Sequence, residues 1–316
     1  MQSPLNIGVD VAKDELVVAC DTNSFTPHTI VNRRAALCTW LKSLPNGSRI
    51  GVESTSTYHE LVADLAFKNG FTVFVLNPRD VHHYAKGVGA RAKTDRVDAQ
   101  VIARYLAREY SELHPYQPPT PDQRRIDELL RRRAKLTATR GMLHQSLRTL
   151  PACRDEAKAL FGKFDVLIKK IDLMLARLNA ACAERLQTQQ RLQTIVGIGP
   201  TCGISLSNLF HRVPLRNADA AVAFVGYDTR ADDSGERRGR RRVSKRGPSE
   251  LRRLLFNAAM AASKSKTWNP IYRHYRQTGL SSTAVLCIIA RKILRTAWSI
   301  YAHKTTFDPN RLTCQA

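Results

Sequence analysis

Residues 5–21 read LNIGVDVAKDELVVACD. Apolar and polar residues alternate on both sides of the turn-like AKDE, which predicts two antiparallel strands. Asp10 closes the first of them, in IGVD, an apolar run where a carboxylate is costly unless it has a partner. Outward from this pair, HTIVN (28–32) predicts a third short strand, RAALCTWLKSL (34–44) an amphipathic helix, and RIGVE (49–53) another strand. A helix over STYHELVADLAFKNG (56–70) ends at Gly70, followed by a strand in FTVFVLN (71–77) and helical residues from Pro78. The order βββαβαβα predicts an RNase H-like α/β layer with a mixed sheet.

The next helix opens in RAKTDRVDAQ (91–100) and runs through Leu113, with Val97, Val101, Ile102, Tyr105 and Leu106 as its apolar stripe. Asp95 and Asp98 lie three apart and so share one face. The apolar stripe turns them toward the edge of the sheet, where Asp10 ends one strand and Glu53, in IGVE, ends another. Taken singly, Asp95 reads as a helix cap, Asp98 as a first-turn acid and Glu53 as a helix-initiating acid. Four carboxylates at one edge repel one another unless cations join them. Mg²⁺ suits such a site, being hard, oxygen-seeking and content with few protein carboxylates when phosphate and water complete its shell. Two such ions would activate an attacking oxygen and stabilise a leaving one in phosphodiester chemistry. Strand-ending aspartates also occur in actin-like sugar kinases, but GVGAR (87–91) is too slight for their glycine-rich phosphate loops.

HPYQPPTP (114–121) breaks the pattern and predicts an extended linker. Beyond it, Leu129, Leu136, Leu143 and Leu150 recur every seven residues, with Ile126 and Leu147 beside them and Arg133 and Arg140 interrupting the seam. Phe164, Ile168, Ile171, Leu175, Leu178 and Cys182 follow at spacings of four and three. These segments predict a helical hairpin or an intermolecular coiled coil. The GIG of TIVGIGPTCGISL (194–206) separates two helical segments, as a plain connecting turn or as a phosphate-facing one. The rest predicts helices near ADAAVAFVG (218–226) and from about Pro248, Asn269 and Ser282, with the basic loop YDTRADDSGERRGRRRVSKRG (227–247) among them.

The chain has 316 residues and a net charge of +23, from 50 basic and 27 acidic residues. Residues 1–120 hold about 13 basic and 12 acidic of these, leaving about 37 and 15 for the remainder. An excess so placed predicts an extended polyanion, because each Lys or Arg laid on a phosphate releases counterions. No apolar run nears the roughly 20 residues of a membrane span, and no charged segment with an apolar one opens the chain, so a cytoplasmic, nucleoid-associated protein is expected. Seven scattered cysteines without a C-x-x-C pair point to a reducing compartment and away from structural zinc.

IGVDVAK (7–13), VESTSTY (52–58), VLNPRDVHHYAKGVGARAKTDRVDAQVIARY (75–105), VGIGPTCG (196–203), FVGYDTRADDSG (224–235), RVSKRGPSELRRLLFNAAM (242–260) and AVLCIIARKILRTAWSIY (284–301) resemble, in order, the DEDD transposases of the insertion-sequence-110 group and their Piv-type invertase relatives. The resemblance implies a RuvC-like domain over 1–113, a linker over 114–121, a coiled-coil oligomerisation segment over 122–192 and a serine-bearing transposase domain over 193–316. It makes Asp10, Glu53, Asp95 and Asp98 ligands of Mg²⁺. It makes Ser234, from its residue type only a hydroxyl in a basic loop, the nucleophile that forms a phosphoserine with DNA. It further implies a dimer or tetramer in which metal site and serine meet across protomers, and a structured bridge RNA that pairs with target and donor DNA. Lys93, Arg96, Arg237, Arg238, Arg240, Arg241, Arg242, Lys245, Arg246, Arg252 and Arg253 are the candidate nucleic-acid contacts, with His82, His83, Tyr84 and Lys86 as further candidates for RNA. Ser56 stands where relatives commonly carry glycine. The rival readings are a Piv-type invertase, a RuvC-like junction nuclease that needs no serine, and a non-enzymatic architectural protein.

Overall fold

The alternation of residues 5–21 is realised as strands β1 (Asn6–Val11) and β2 (Glu15–Cys20), antiparallel, with Val9 opposite Val18 and Asp10 opposite Val17. The computed structural model describes residues 4–22, 25–54, 56–89, 94–230 and 241–312. The chain divides into two compact units, Met1–Pro118 and Pro119–Ala316. In the first, β3 (His28–Val31) pairs antiparallel with β2. After helix α1 (Arg34–Ser43), β4 (Arg49–Glu53) runs parallel to β1. After α2 (His59–Lys68), β5 (Thr72–Leu76) runs parallel to β4, giving a mixed sheet in the order β3-β2-β1-β4-β5. Helices α3 (Pro78–Gly87) and α4 (Asp95–Glu109) complete the unit. The predicted element order and the mixed sheet are both observed.

Because successive strand residues face opposite ways, the sheet sorts its side chains by parity. Ile7, Val9, Leu16, Val18, Ile50 and Val52 form one face and bury against Leu37, Leu41, Val62 and Ala66 of α1 and α2. The other face carries Gly8, Asp10, Val17, Ala19, Gly51 and Glu53, followed on β5 by Phe74 and Leu76. Phe74 and Leu76 pack on Ile102 and Leu106 of α4. The proline-rich stretch begins as part of this unit, with Tyr116 donating its N–H to Val73 O and its hydroxyl to Asp64, both at 2.7 Å.

The second unit contains helices α5 (Pro121–Leu147), α6 (Arg154–Ala180), α7 (Ala183–Leu192), α8 (Pro200–Arg212) and α9 (Ala218–Val225). A two-stranded hairpin of β6 (Thr229–Arg230) and β7 (Arg242–Val243) follows, then α10 (Ser249–Ala262), α11 (Asn269–Gln277) and α12 (Ser282–His303). Thr120 and Gln123 start α5 with a reciprocal capping box.

Helices α5 and α6 fold back on each other within one chain. Their contact partners step down α6 as they step up α5: Arg133 bonds Asp172, Arg140 bonds Asp165, and His144 meets Phe161. The arginines that interrupt the leucine seam are thus matched by aspartates on the facing helix. Ile195, just before the GIG turn, and Ile198, at its centre, are both buried, so this turn joins α7 to α8 through the core. Leu206, Leu255, Ile289 and Ile293 belong to that same core, where each fully buried aliphatic side chain contributes about 1.5–3 kcal/mol. Among the described residues, no helix is long and apolar enough to cross a membrane.

Candidate active site

The site depends on how near α4 comes to β1. A Cβ on Gly8 would lie 2.1 Å from Ala99 O and 2.4 Å from Ala103 N, so nothing larger than hydrogen fits there. Ala99 and Ala103 are themselves fully buried. With Ala19 and Gly51, these small residues seat α4 on the sheet, and its first turn comes to lie over the end of β1. Thr94, not Asp95, caps that turn, accepting from Val97 N at 3.3 Å. The first-turn position of Asp98 agrees with its dipole reading, while the carboxylate of Asp95 is released from capping.

Asp10, Asp95 and Asp98 each place a carboxylate oxygen within 4.8 Å of the others. Burial, then the charges of Asp95 and Asp98, push the pKa of Asp10 from 3.8 up to about 6. At such separations a like-charge pair costs about 1 kcal/mol in bulk water and several at the lower effective dielectric of a protein surface. Among the described residues, the charged groups acting on Asp10 are both carboxylates, and a backbone hydrogen bond at Val11 compensates in part. A donor set made of carboxylate oxygens, with Asp10 and Asp98 half-buried and Asp95 exposed, held together against repulsion, fits a hard divalent cation.

Glu53 lies outside the 4.8 Å group. It follows Val52, which pairs with Val9, so it stands beside Asp10 at the same end of the sheet and on the same face. Just beyond it, Ser56 takes a left-handed backbone, φ 50°, the conformation that glycine adopts without strain. Arg96 is exposed on the first turn of α4. Arg241, Arg242, Lys245 and Arg246 are exposed around the β6–β7 hairpin. Arg252 and Arg253 are half-buried and engaged: Arg252 with the Val225 and Gly247 carbonyls, Arg253 with Glu250 through two bonds of 2.7 and 2.6 Å. Tyr84 packs edge-on against Tyr105. Ser234, Lys93, Arg237, Arg238 and Arg240 lie outside the described residues.

Gly8 is the functional residue that the sequence reading passed over. Its signal was present: in both IGVD and IGVE a glycine stands two positions before the acid, hence on the acid's own face.

Residues 7–150 match the DEDD transposase family of the IS110 type, and residues 189–276 match the transposase IS116/IS110/IS902 family. Over 96% of its length the chain is 25% identical to the pilin gene-inverting protein of Moraxella bovis, covering 97% of that protein. It is 24% identical, over 96% of its length and 98% of the relative's, to the transposase for insertion sequence element IS1328 of Yersinia enterocolitica.

Proposed function

The chain belongs to the IS110-type DEDD transposases, enzymes that recombine DNA, and on that premise we propose that it exchanges DNA strands through a phosphoserine at Ser234, assisted by Mg²⁺ at Asp10, Glu53, Asp95 and Asp98. The observation that carries this reading is the group of three carboxylates gathered within 4.8 Å over an RNase H-like sheet. A divalent ion held there would neutralise phosphate charge and act as Lewis acid toward the oxygens of the scissile phosphodiester. Ser234 Oγ forms the new bond to phosphorus and loses its proton to a base. The bond from phosphorus to the departing sugar oxygen breaks, and that oxygen is protonated. Attack by a hydroxyl of the partner DNA on the phosphoserine then restores the serine and joins the new strand. Arg237, Arg238 and Arg240 steady the phosphate charge. Arg96 and the remaining exposed arginines and lysines take backbone phosphates of DNA and of a structured guide RNA, to which base pairing delegates target and donor choice.

The working form is a homo-dimer or tetramer joined through residues 122–192. Its support is a second stripe on α6: Ala159, Gly162, Val166, Leu173, Ala176 and Ala180 recur at coiled-coil spacing, interrupted by Lys169, and all are exposed, Val166 by 68%. The likeness to the pilin gene-inverting protein favours one alternative, inversion between paired sites by the same chemistry.

The test is to incubate the protein with Mg²⁺, RNA transcribed from the flanking DNA and labelled flanking DNA, then denature. Label retained on the protein, and lost in Ser234→Ala and in Asp95→Ala, is the expected result. Free cleaved DNA that Ser234→Ala still releases would make the chain a junction nuclease. Divalent-ion binding identical in wild type and Asp10→Ala would leave only an architectural role.

A further inference from the structure

Thr229 pairs with Val243 and Arg230 with Arg242, so the chain enters and leaves residues 231–240 at neighbouring positions of one short hairpin. Beneath it, Ser244 N donates to Asp228 O at 2.8 Å and Lys245 N to Gly226 O at 3.1 Å. The Ser244 hydroxyl donates to the Asp228 carboxylate as well. Gly247 then crosses the end of α9 so closely that a Cβ would lie 1.8 Å from Phe224 O. Arg252, in the first turn of α10, reaches back to this crossing. Its Nη1 donates to Val225 O at 2.9 Å and to Gly247 O at 2.5 Å. Its own carbonyl accepts from the hydroxyl of buried Tyr227 at 2.9 Å. One guanidinium therefore ties the end of α9, from which the chain runs into β6, to the residue that follows β7 and precedes α10. Its charge also sits at the carbonyl end of α9, where a cation is favoured.

We propose that Arg252 is a positioning residue, a clamp that holds residues 225–230 against residues 241–247, the two flanks of the segment bearing Ser234. The proposal rests on the reading of Ser234 as the nucleophile. It differs in kind from a phosphate contact: an arginine on phosphate carries affinity and salt dependence, whereas an arginine on two carbonyls carries neither.

The full chain is compared with Arg252→Lys and Arg252→Gln in three ways: affinity for a mixed-sequence fluorescent duplex as a function of NaCl, the rate of covalent adduct formation at saturating flanking DNA, and the rate of tryptic cleavage between residues 230 and 242. A clamp predicts affinity and salt slope unchanged within about twofold, adduct formation slowed about tenfold or more in both variants, and faster tryptic cleavage. Lysine fails to rescue because its ammonium ends one bond short of the Nη1 position, where a single nitrogen serves both carbonyls. Weaker duplex binding with a salt slope shallower by about one, restored by lysine, would overturn the clamp in favour of a phosphate contact. Should wild type form no adduct, the nucleophile reading falls, and tryptic cleavage alone judges the clamp: acceleration sustains it and unchanged rates overturn it. If Arg252→Gln does not fold, Ser244→Ala, which removes the hydroxyl that donates to the Asp228 carboxylate and accepts from Arg246 N, is expected to show the same signs at smaller size.

Discussion

Two clusters of charged residues in this protein are treated in opposite ways. In the α5–α6 hairpin each arginine in the leucine seam meets an aspartate: Arg133 with Asp172, Arg140 with Asp165. At the end of β1, Asp10 meets Asp95 and Asp98. The first arrangement is complete as it stands and stabilises a register. The second is costly as it stands, and a bound proton or cation relieves it. Matched charge marks architecture; gathered like charge marks a site.

That contrast can be broken by substitution. Asp98→Ala is expected to slow strand transfer about a thousandfold, the several kcal/mol that a metal site contributes to phosphodiester chemistry, in the adduct assay. Gly8→Ala is next. It drives a methyl into the backbone of α4, costs about 1–3 kcal/mol in urea unfolding, and weakens Mg²⁺ binding because Asp95 and Asp98 shift with the helix. Replacing Arg133 and Asp172 together by leucine is expected to be nearly neutral in stability, whereas Arg133→Ala alone costs about 1 kcal/mol or more. A double variant that folds well but loses adduct formation would show that the matched pair is more than architecture. Ser56→Gly is the smallest change, a gain of about 0.5–1 kcal/mol from relieving the left-handed backbone, seen as a higher Tm.

Much of the first unit was legible because period-two alternation and helix punctuation are local. IGVD, AKDE and RIGVE dictate strands and turns wherever they occur, and Asp95 and Asp98 share a face by spacing alone. The parity of the strands also places Glu53 on the face of Asp10. What local patterns could not disclose is distance through space. The close seat of α4 depends on Gly8 facing Ala99 and Ala103, residues more than ninety positions away in sequence. In the second unit, Arg133 and Arg140 read as flaws in a seam because their aspartates lie on the next helix. Arg252, expected from composition to contact nucleic acid, bonds the Val225 and Gly247 carbonyls, partners that composition does not bring together. Ser56 is the reverse case: its left-handed backbone angle suits the glycine that relatives commonly carry, and the serine holds that angle under strain.

The central claim is that the Asp10, Asp95 and Asp98 group is built for a divalent cation, and thermal unfolding of wild type and Asp10→Asn, with and without Mg²⁺ across pH 4 to 8, tests it most directly. Folded Asp10 holds its proton up to about pH 6 and the unfolded chain only to about 3.8, so the metal-free native state binds more protons in that window and loses stability as pH rises through it. Mg²⁺ requires the carboxylate form, so its stabilisation should appear only as pH climbs past about 6, reaching about 2.7 kcal/mol at a hundredfold excess over Kd. Asp10→Asn should be more stable than wild type without metal at pH 8, flat across the window and indifferent to Mg²⁺. A wild type that ignores Mg²⁺ at pH 8, or an Asp10→Asn variant that is stabilised by it equally, would contradict the account.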